Sequence, residues 1–190
     1  MRRNPERRAA LVDAAIEVLA DEGARGLTFR AVDARAAVPN GTASNYFANR
    51  DDLLTQAGGR IYERLVPENA VFADLANGEH DVAHLTKLMR ETVTRVATFR
   101  TGFLALLELR LEATRRPELR RVLGERVRAD LDLNIENHLT SGMPGDSVTV
   151  ELLYSALNWM IVDRLTLPDL HDEEHFDRLV AAVVERSLPR

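Results

Sequence analysis

The segment Pro39-Asn40-Gly41-Thr42-Ala43-Ser44-Asn45-Tyr46-Phe47 is the part of the chain whose residue types and spacing best suit a chemical task. Ala43 and Phe47 are four apart and share the inner face of a helix, which turns Asn40, Thr42, Ser44 and Asn45 outward. An ordinary solvent face holds Lys and Glu, which favour helix, whereas short polar residues compete with the backbone for hydrogen bonds. A helix that accepts them presents donors and acceptors, the chemistry needed to read the edges of base pairs. Asn40 or Asn45 can pair with adenine in a major groove, and Thr42 can donate to a phosphate or meet a thymine methyl. Gly41 lets the backbone approach such a partner closely. Tyr46 and Arg50 suit phosphate anchors, with Thr28 and Arg30 upstream as helpers. Other uses stay open: Tyr46 can pack into a core, Arg50 can pair with Asp33 or Asp52, and Asn45 can simply face water.

Other chemistries find little support. The chain has no cysteine, which removes disulfides, thiol nucleophiles and thiolate metal sites together. It has no Gly-rich phosphate loop and no Gly-x-Ser-x-Gly, and no spacing singles out a carboxylate pair for acid–base work. His80/His84 and His171/His175 have the i,i+4 spacing of metal ligands, but neither matches His-Glu-x-x-His, and both are read as solvated surface. The expectation is a protein that is not an enzyme and holds no cofactor or metal.

The elements that must position the polar segment are helical, since nearly every stretch has period 3.6 and almost none alternates. A first helix spans about Pro5–Glu22, with Leu11, Ala15, Val18 and Leu19 on one stripe and Gly23 past its end. Thr28 caps a short second helix ending near Ala36. Ala37-Val38 makes a turn, and Pro39 opens the third helix. Two short helices at a turn, the second with a polar face, describe a helix-turn-helix. Asn49 caps a fourth helix running to about Val66, before Pro67. After a loop at Asn77-Gly78, five longer helices follow: Val82–Phe99, Gly102–Arg115, Pro117–Leu139, Ser147–Leu167 and Glu173–Ser187. The fold class is all-α, about nine helices. The expected organisation is a DNA-binding head over 1–50, a connecting helix over about 50–66, and a second helical domain over 67–190.

Charge agrees with that division. Residues 1–50 hold eight Arg and six Asp/Glu, net +2, while the rest holds 17 basic and 24 acidic residues, net −7. Arg2, Arg3, Arg7 and Arg8 cluster at the start. A basic head on an acidic body suits a protein that touches phosphates at one end, although a solvated arm explains the arginines as well. No run of ~18 apolar residues occurs, so no membrane span is expected. The stretch Met-Arg-Arg-Asn-Pro-Glu-Arg-Arg has no apolar core, so no secretion signal is expected either, and a cytoplasmic location follows as an expectation.

Residues 8–54 resemble the DNA-binding domain of the tetracycline-repressor (TetR) family, whose pattern runs roughly Ile-Ala-x-x-Ala-Gly-Val-Ser-x-Gly-Thr-Leu-Tyr-x-His-Phe-x-Ser-Lys-Glu-x-Leu. The chain gives Val32-Asp33-Ala34-Arg35-Ala36-Ala37-Val38-Pro39-Asn40-Gly41-Thr42-Ala43-Ser44-Asn45-Tyr46-Phe47-Ala48-Asn49-Arg50-Asp51-Asp52-Leu53. Ala14-Ala15, Gly23 and Leu27-Thr28 fall where the family places them. Ala37 stands where the turn expects glycine, so either strain is tolerated or the backbone is not left-handed there. Pro39 replaces a capping Ser, Ser44 replaces a common Tyr, and Arg50 keeps the charge of a Lys. The resemblance implies a ligand-responsive regulator, expected to be a repressor of operator DNA. A constitutive or protein-regulated DNA binder of the same fold is the alternative.

One recognition helix reads only a few base pairs, so such proteins pair across half-sites about 34–36 Å apart. In Ser147–Leu167, Val148, Leu152, Ala156 and Trp159 form one stripe, and Val150, Leu153, Leu157 and Ile161 another. A helix apolar on so much of its circumference needs two partners. Phe176, Leu179, Val180, Val183 and Val184 give the last helix a matching stripe. The resemblance implies that these two helices form a four-helix bundle with a second subunit, through Leu152, Leu153, Ala156, Leu157, Met160, Phe176, Leu179, Val180 and Val183; burial within one monomer is the alternative. The family places its effector pocket among helices five to eight. Met89, Val93, Val96, Phe99, Phe103 and Leu107 can line an apolar cavity, though such stripes also make plain core. Glu108, Arg110, Asn134, His138, Asn158 and Trp159 are polar groups in apolar company that can hold a mostly apolar ligand.

Overall fold

A computed structural model describes residues 4–65 and 79–189. Arg2, Arg3, the expected helix end at Val66 and the expected loop at Asn77-Gly78 lie outside them. The described residues form nine α-helices and no strand: α1 Pro5–Gly26, α2 Phe29–Arg35, α3 Thr42–Tyr46, α4 Arg50–Leu65, α5 Val82–Thr98, α6 Arg100–Ala113, α7 Pro117–Ser141, α8 Ser147–Thr166 and α9 Glu173–Ser187. None of them is long and apolar enough to cross a membrane.

The chain divides into two compact units, one of Met1–Leu65 with Phe99–Val127, the other of Val66–Thr98 with Arg128–Arg190. This cut differs from a head over 1–50 and a body over 67–190, and the reason is a shared core. Ala105, Leu106 and Leu109 of α6, with Leu119 and Leu123 of α7, are buried in one cluster with Leu11, Ala15, Leu19, Val32, Phe47, Leu54 and Ile61. A stripe at helical spacing announces that a face is buried, but not which core it enters.

In the first unit, local chemistry sets each helix. Asn4 caps α1, its Oδ1 accepting from the amides of Glu6 at 2.9 Å and Arg7 at 3.3 Å. The helix is interrupted at Gly23, whose φ of 69° and ψ of −179° are not helical. The Glu108 carboxylate covers that break, accepting from the Ala24 amide at 2.9 Å. Thr28 caps α2 through the Ala31 amide at 3.1 Å. Ala37 does adopt left-handed backbone, φ 51°, at a cost of about 1–2 kcal/mol. Asn49 and Asp52 cap α4 reciprocally: Asn49 Oδ1 accepts from the Asp52 amide, and Asp52 Oδ2 from the Ala48 amide, both at 2.9 Å.

In the second unit Leu85 and Leu88 of α5 pack with Met143, Leu153 of α8 and Val184 of α9. Asp146 and Thr149 make a capping box at the start of α8. Thr149 is buried there and donates to the Ser187 carbonyl at 2.9 Å, fixing the start of α8 to the end of α9.

Candidate nucleic-acid interface

The recognition segment is shorter than its sequence suggests. α3 begins at Thr42 rather than at Pro39, because Gly41, at φ 88°, turns the chain left-handed just before it. Asn40 therefore lies in the turn, not on the helix. A Cβ built at Gly41 meets nothing within 4 Å, so backbone conformation alone calls for glycine here and the outer side is open. No side chain of α3's own N-terminal residues caps it.

The cap comes from α2. Asp33 is fully buried, and its two carboxylate oxygens accept from the amides of Gly41 and Ala43, each at 2.7 Å. This carboxylate ties the start of α3 to α2 across the turn and fixes the angle between them. Sequence reading offered Asp33 only as a partner for Arg50. A signal existed, because an acid four residues from Ala37, on the same inward side as Val32, has to find donors in a core.

Thr28, Arg30, Asn40, Gly41, Ser44 and Asn45 are exposed, and Thr42 and Tyr46 half-buried. The Ser44 hydroxyl and the Asn45 amide both donate to the Gly41 carbonyl, at 2.8 and 2.9 Å. Thr42 donates to the Pro39 carbonyl. The Tyr46 ring packs against the core of the unit. Arg50 points inward: its Nε donates to the Leu27 carbonyl at 3.0 Å and its Nη2 to that of Ala24. It pairs with neither Asp33 nor Asp52, and it staples α4 to the α1–α2 junction.

The remaining cations sort by what already holds them. Arg35 is bound by Asp21 at 2.7 Å and Glu17 at 3.4 Å, and its guanidinium is held above its ordinary range by the Asp21 hydrogen bond. Arg8 lies over the Phe47 ring at 5.3 Å and donates to Gln56 at 2.8 Å. Arg7 and Arg30 are exposed, with no carboxylate partner among the described residues. On the face of α2 and α3, Arg30 is thus the cation best placed to serve a phosphate.

The eight expected effector residues fall in both units. Phe103 is buried, Leu107 half-buried, Arg110 exposed, and Glu108 is engaged at the α1 break, all in the first unit. In the second, Asn134 and Asn158 donate to the carbonyls of Asp130 and Tyr154, each at 2.7 Å and one turn back. His138 is buried with Nε2 3.1 Å from the Pro144 carbonyl; burial holds it below its usual range, against the pull of that carbonyl. Trp159 is exposed. A group missed by sequence reading joins three helices of this unit. Burial holds the Asp130 carboxyl above its ordinary range, opposed by the Tyr154 hydroxyl that donates to it. Burial lowers Arg95, opposed by the charge of Asp130. Asn137, two turns along α7 from Asp130, has its Nδ2 buried without a partner. Arg95 stands between Val93 and Val96, and that charge among apolar neighbours was the available signal.

The expected dimer residues differ in burial. Leu153, Leu157, Phe176 and Val180 are buried within their own unit. Ala156, Met160, Leu179 and Val183 are half-buried, and Leu152 is exposed. Of the two α8 stripes, the one through Val150, Leu153, Leu157 and Ile161 faces inward and the one through Val148, Leu152 and Trp159 outward. Among the described residues no group of His, Asp or Glu has the arrangement of a metal site.

Residues 80–190 match the family described as "Tetracyclin repressor-like, C-terminal domain", and residues 11–57 match "Bacterial regulatory proteins, tetR family". A curated relative from Xanthobacter autotrophicus, an uncharacterized HTH-type transcriptional regulator in the dhlA 5' region, is 33% identical over 81 residues. That alignment covers 43% of this chain and 40% of the relative, so the chain spans less than half of that protein's length. Among solved structures, the multidrug binding protein EbrR complexed with imidazole is 29% identical, covering 98% of this chain and 97% of its own, with a TM-score of 0.67. A member of the TetR family from Streptomyces coelicolor is 29% identical over 98% of this chain and all of its own, with a TM-score of 0.71. The buried clamp on a donor-rich recognition helix and the match along both units lead to one conclusion: this chain belongs to the tetR family of bacterial regulatory proteins, and is a DNA-binding transcriptional regulator rather than an enzyme.

Proposed function

We propose that the protein is a repressor that binds operator DNA as a homodimer and leaves it when a small, mostly apolar ligand binds the second unit. The observation that carries the DNA reading is the exposed face of Ser44 and Asn45 on a helix clamped at its start by buried Asp33, with exposed Asn40 in the turn before it. Asn45 reads base edges, with Thr42 and Ser44 beside it, while Arg30, Thr28 and the Tyr46 hydroxyl hold phosphates. Arg50 acts at one remove, through the backbone it staples. For the homodimer, the support is the outward stripe of α8 with half-buried Leu179 and Val183 of α9.

The ligand reading is supported by the Asn137 amide on α7, whose Nδ2 is buried without a partner beside the half-buried, mutually engaged group of Arg95, Asp130 and Tyr154. Buried polar groups lacking a full set of partners are where a ligand's polar end gains most. EbrR, similar along its length, is described as a multidrug binding protein and has been seen with imidazole and with ethidium. A ligand releases DNA only through its difference in affinity for two dimer states, one whose recognition helices match successive major grooves and one whose do not.

Gel shifts on the DNA upstream of the protein's own gene test this reading. Asn45→Ala is expected to lower affinity by about ten- to a hundred-fold and to relax base preference at one position per half-site. Arg30→Ala is expected to weaken all sequences alike. Equal loss on specific and random DNA for Asn45→Ala would reject Asn45 as a base reader, and a library of apolar compounds that never releases DNA would reject the ligand arm.

A further inference from the structure

We propose that Trp159 of one copy seats in a cavity at the α8–α9 junction of a second copy, so that each copy supplies one indole and one socket. This rests on the homodimer reading above and adds the pair of features that locks it.

The knob is plain in the second unit. Trp159 is the chain's single tryptophan and is 67% exposed, on a stripe with Val148 at 57% and Leu152 at 51%. Its indole N–H makes no hydrogen bond among the described residues. Tryptophan combines a large apolar body with one donor that seeks an acceptor when buried. Left in water, it is the costliest side chain on this face.

The socket lies on the same unit, where the chain leaves α8 and returns as α9. A cavity of about 220 Å³ opens there, walled by Met160, Leu167, Leu170, Phe176 and Leu179 and bordered by Asp163. Small-molecule sites occupy about 300–1,000 Å³, so this one is small for an effector and suits a single large side chain. Its chemistry matches an indole. The lining is apolar on one side and polar on the other, where His171 and Glu173 join Asp163 and Arg164, and the Asp163 carboxylate, which has no hydrogen-bond partner among the described residues, can accept the N–H. The other two charges at the rim engage each other: Arg164 pairs with Glu173 at 2.7 Å and also lies over Phe176 at 4.9 Å.

Self-complementarity argues for a second copy as the occupant. Knob and socket share α8, with Met160 of the socket adjacent to Trp159 in sequence and Asp163 one turn on. In a two-fold pairing each contact occurs twice with the roles exchanged, so one arrangement buries both indoles and fills both cavities. An unrelated partner would satisfy one feature and leave the other. Leu179 lines the socket and lies, with Val183, on the half-buried face of α9.

The single tryptophan makes the test direct, because all indole emission from the intact protein reports this site. Sedimentation and fluorescence are followed together on dilution. The dimer is expected to emit at shorter wavelength and resist iodide quenching, with both properties lost as it dissociates. Trp159→Ala is expected to weaken dimerisation about thirty-fold for each indole lost, about 10³-fold for the symmetric pair, as for interface hot spots. Leu170→Ala changes an exposed socket residue, so folding, checked by helicity, is retained. It should weaken the dimer on its own yet add little to Trp159→Ala. A dimer whose indole stays fully quenchable, or strictly additive losses, would overturn the seating and leave the homodimer standing. A monomer at every concentration would overturn both.

Discussion

Replacing Asp33 by alanine removes both acceptors from the start of α3 and leaves the amides of Gly41 and Ala43 without partners. The buried Ala43 amide left unpaired costs about 1–3 kcal/mol, while the amide of exposed Gly41 can turn to water, so Asp33→Ala is expected to destabilise the first unit by about 2 kcal/mol in urea unfolding. DNA affinity should fall further than the loss of folded protein explains, because the helix loses its fixed angle. Asp33→Asn keeps one acceptor and should fall between. A variant that binds DNA as tightly as the parent once folded would remove Asp33 from this role. At this scale sequence resolved what is local. The caps of Thr28 and Asn49 lie within three residues of the amides they serve and were legible. Asp33 reaches eight and ten residues ahead, and Arg50 reaches back 23 and 26, so their partners appear only once the helices are packed. Ala37 shows a third situation: sequence left the turn's handedness open, and φ of 51° decides it.

Where α6 gives way to α7, Glu112 is buried and receives Arg116 at 2.7 Å as well as Arg115, while Arg116 also reaches Asp51 at the start of α4. Burial pushes the Glu112 carboxyl up, but the hydrogen bonds from Arg116 and Arg115 outweigh it and hold the group below its usual range. The unfolded chain therefore takes up this proton first as pH falls. The stabilisation is complete above the unfolded value of about 4.3 and disappears as pH drops through the folded value. Glu112→Gln is expected to cost about 2 kcal/mol at neutral pH and to flatten the acid limb of the stability curve. An unchanged acid limb in urea titrations from pH 3 to 7 would exclude this joint as its source. Element types and most boundaries followed from periodicity, because long amphipathic stretches specify themselves. α3 did not, since a five-residue helix is defined by Gly41 and Asp33 rather than by a pattern. The two stripes of α8 were also legible, but nothing in their composition told which would face inward; Leu153 does so because Leu85, Leu88 and Val184 pack with it.

On the scale of the whole protein, a +2 head on a −7 remainder means that duplex DNA attracts one end and is repelled elsewhere. For the proposed homodimer, binding should depend steeply on salt. With about 6–10 phosphates contacted per operator, affinity is expected to drop about 10³–10⁵-fold between 50 and 200 mM salt, and Arg30→Ala in both copies should reduce the log–log slope by about 2. An unchanged slope would show that Arg30 meets no phosphate. The sign of this asymmetry was legible in the sequence, but which core each stripe enters was not, because composition cannot assign a stripe to a core. The residues buried with the recognition helix come from positions 11–62 and again from 105–123. The chain accordingly passes between its units three times, after Leu65, Thr98 and Val127. A fragment cut after Leu65 would lose the cover that Leu106, Leu109, Leu119 and Leu123 give its core and would present a bare apolar face to water. For anyone wishing to transplant this reader onto another sensor, the graft is a matter of three seams, with α6 and the first half of α7 carried along as part of the reader.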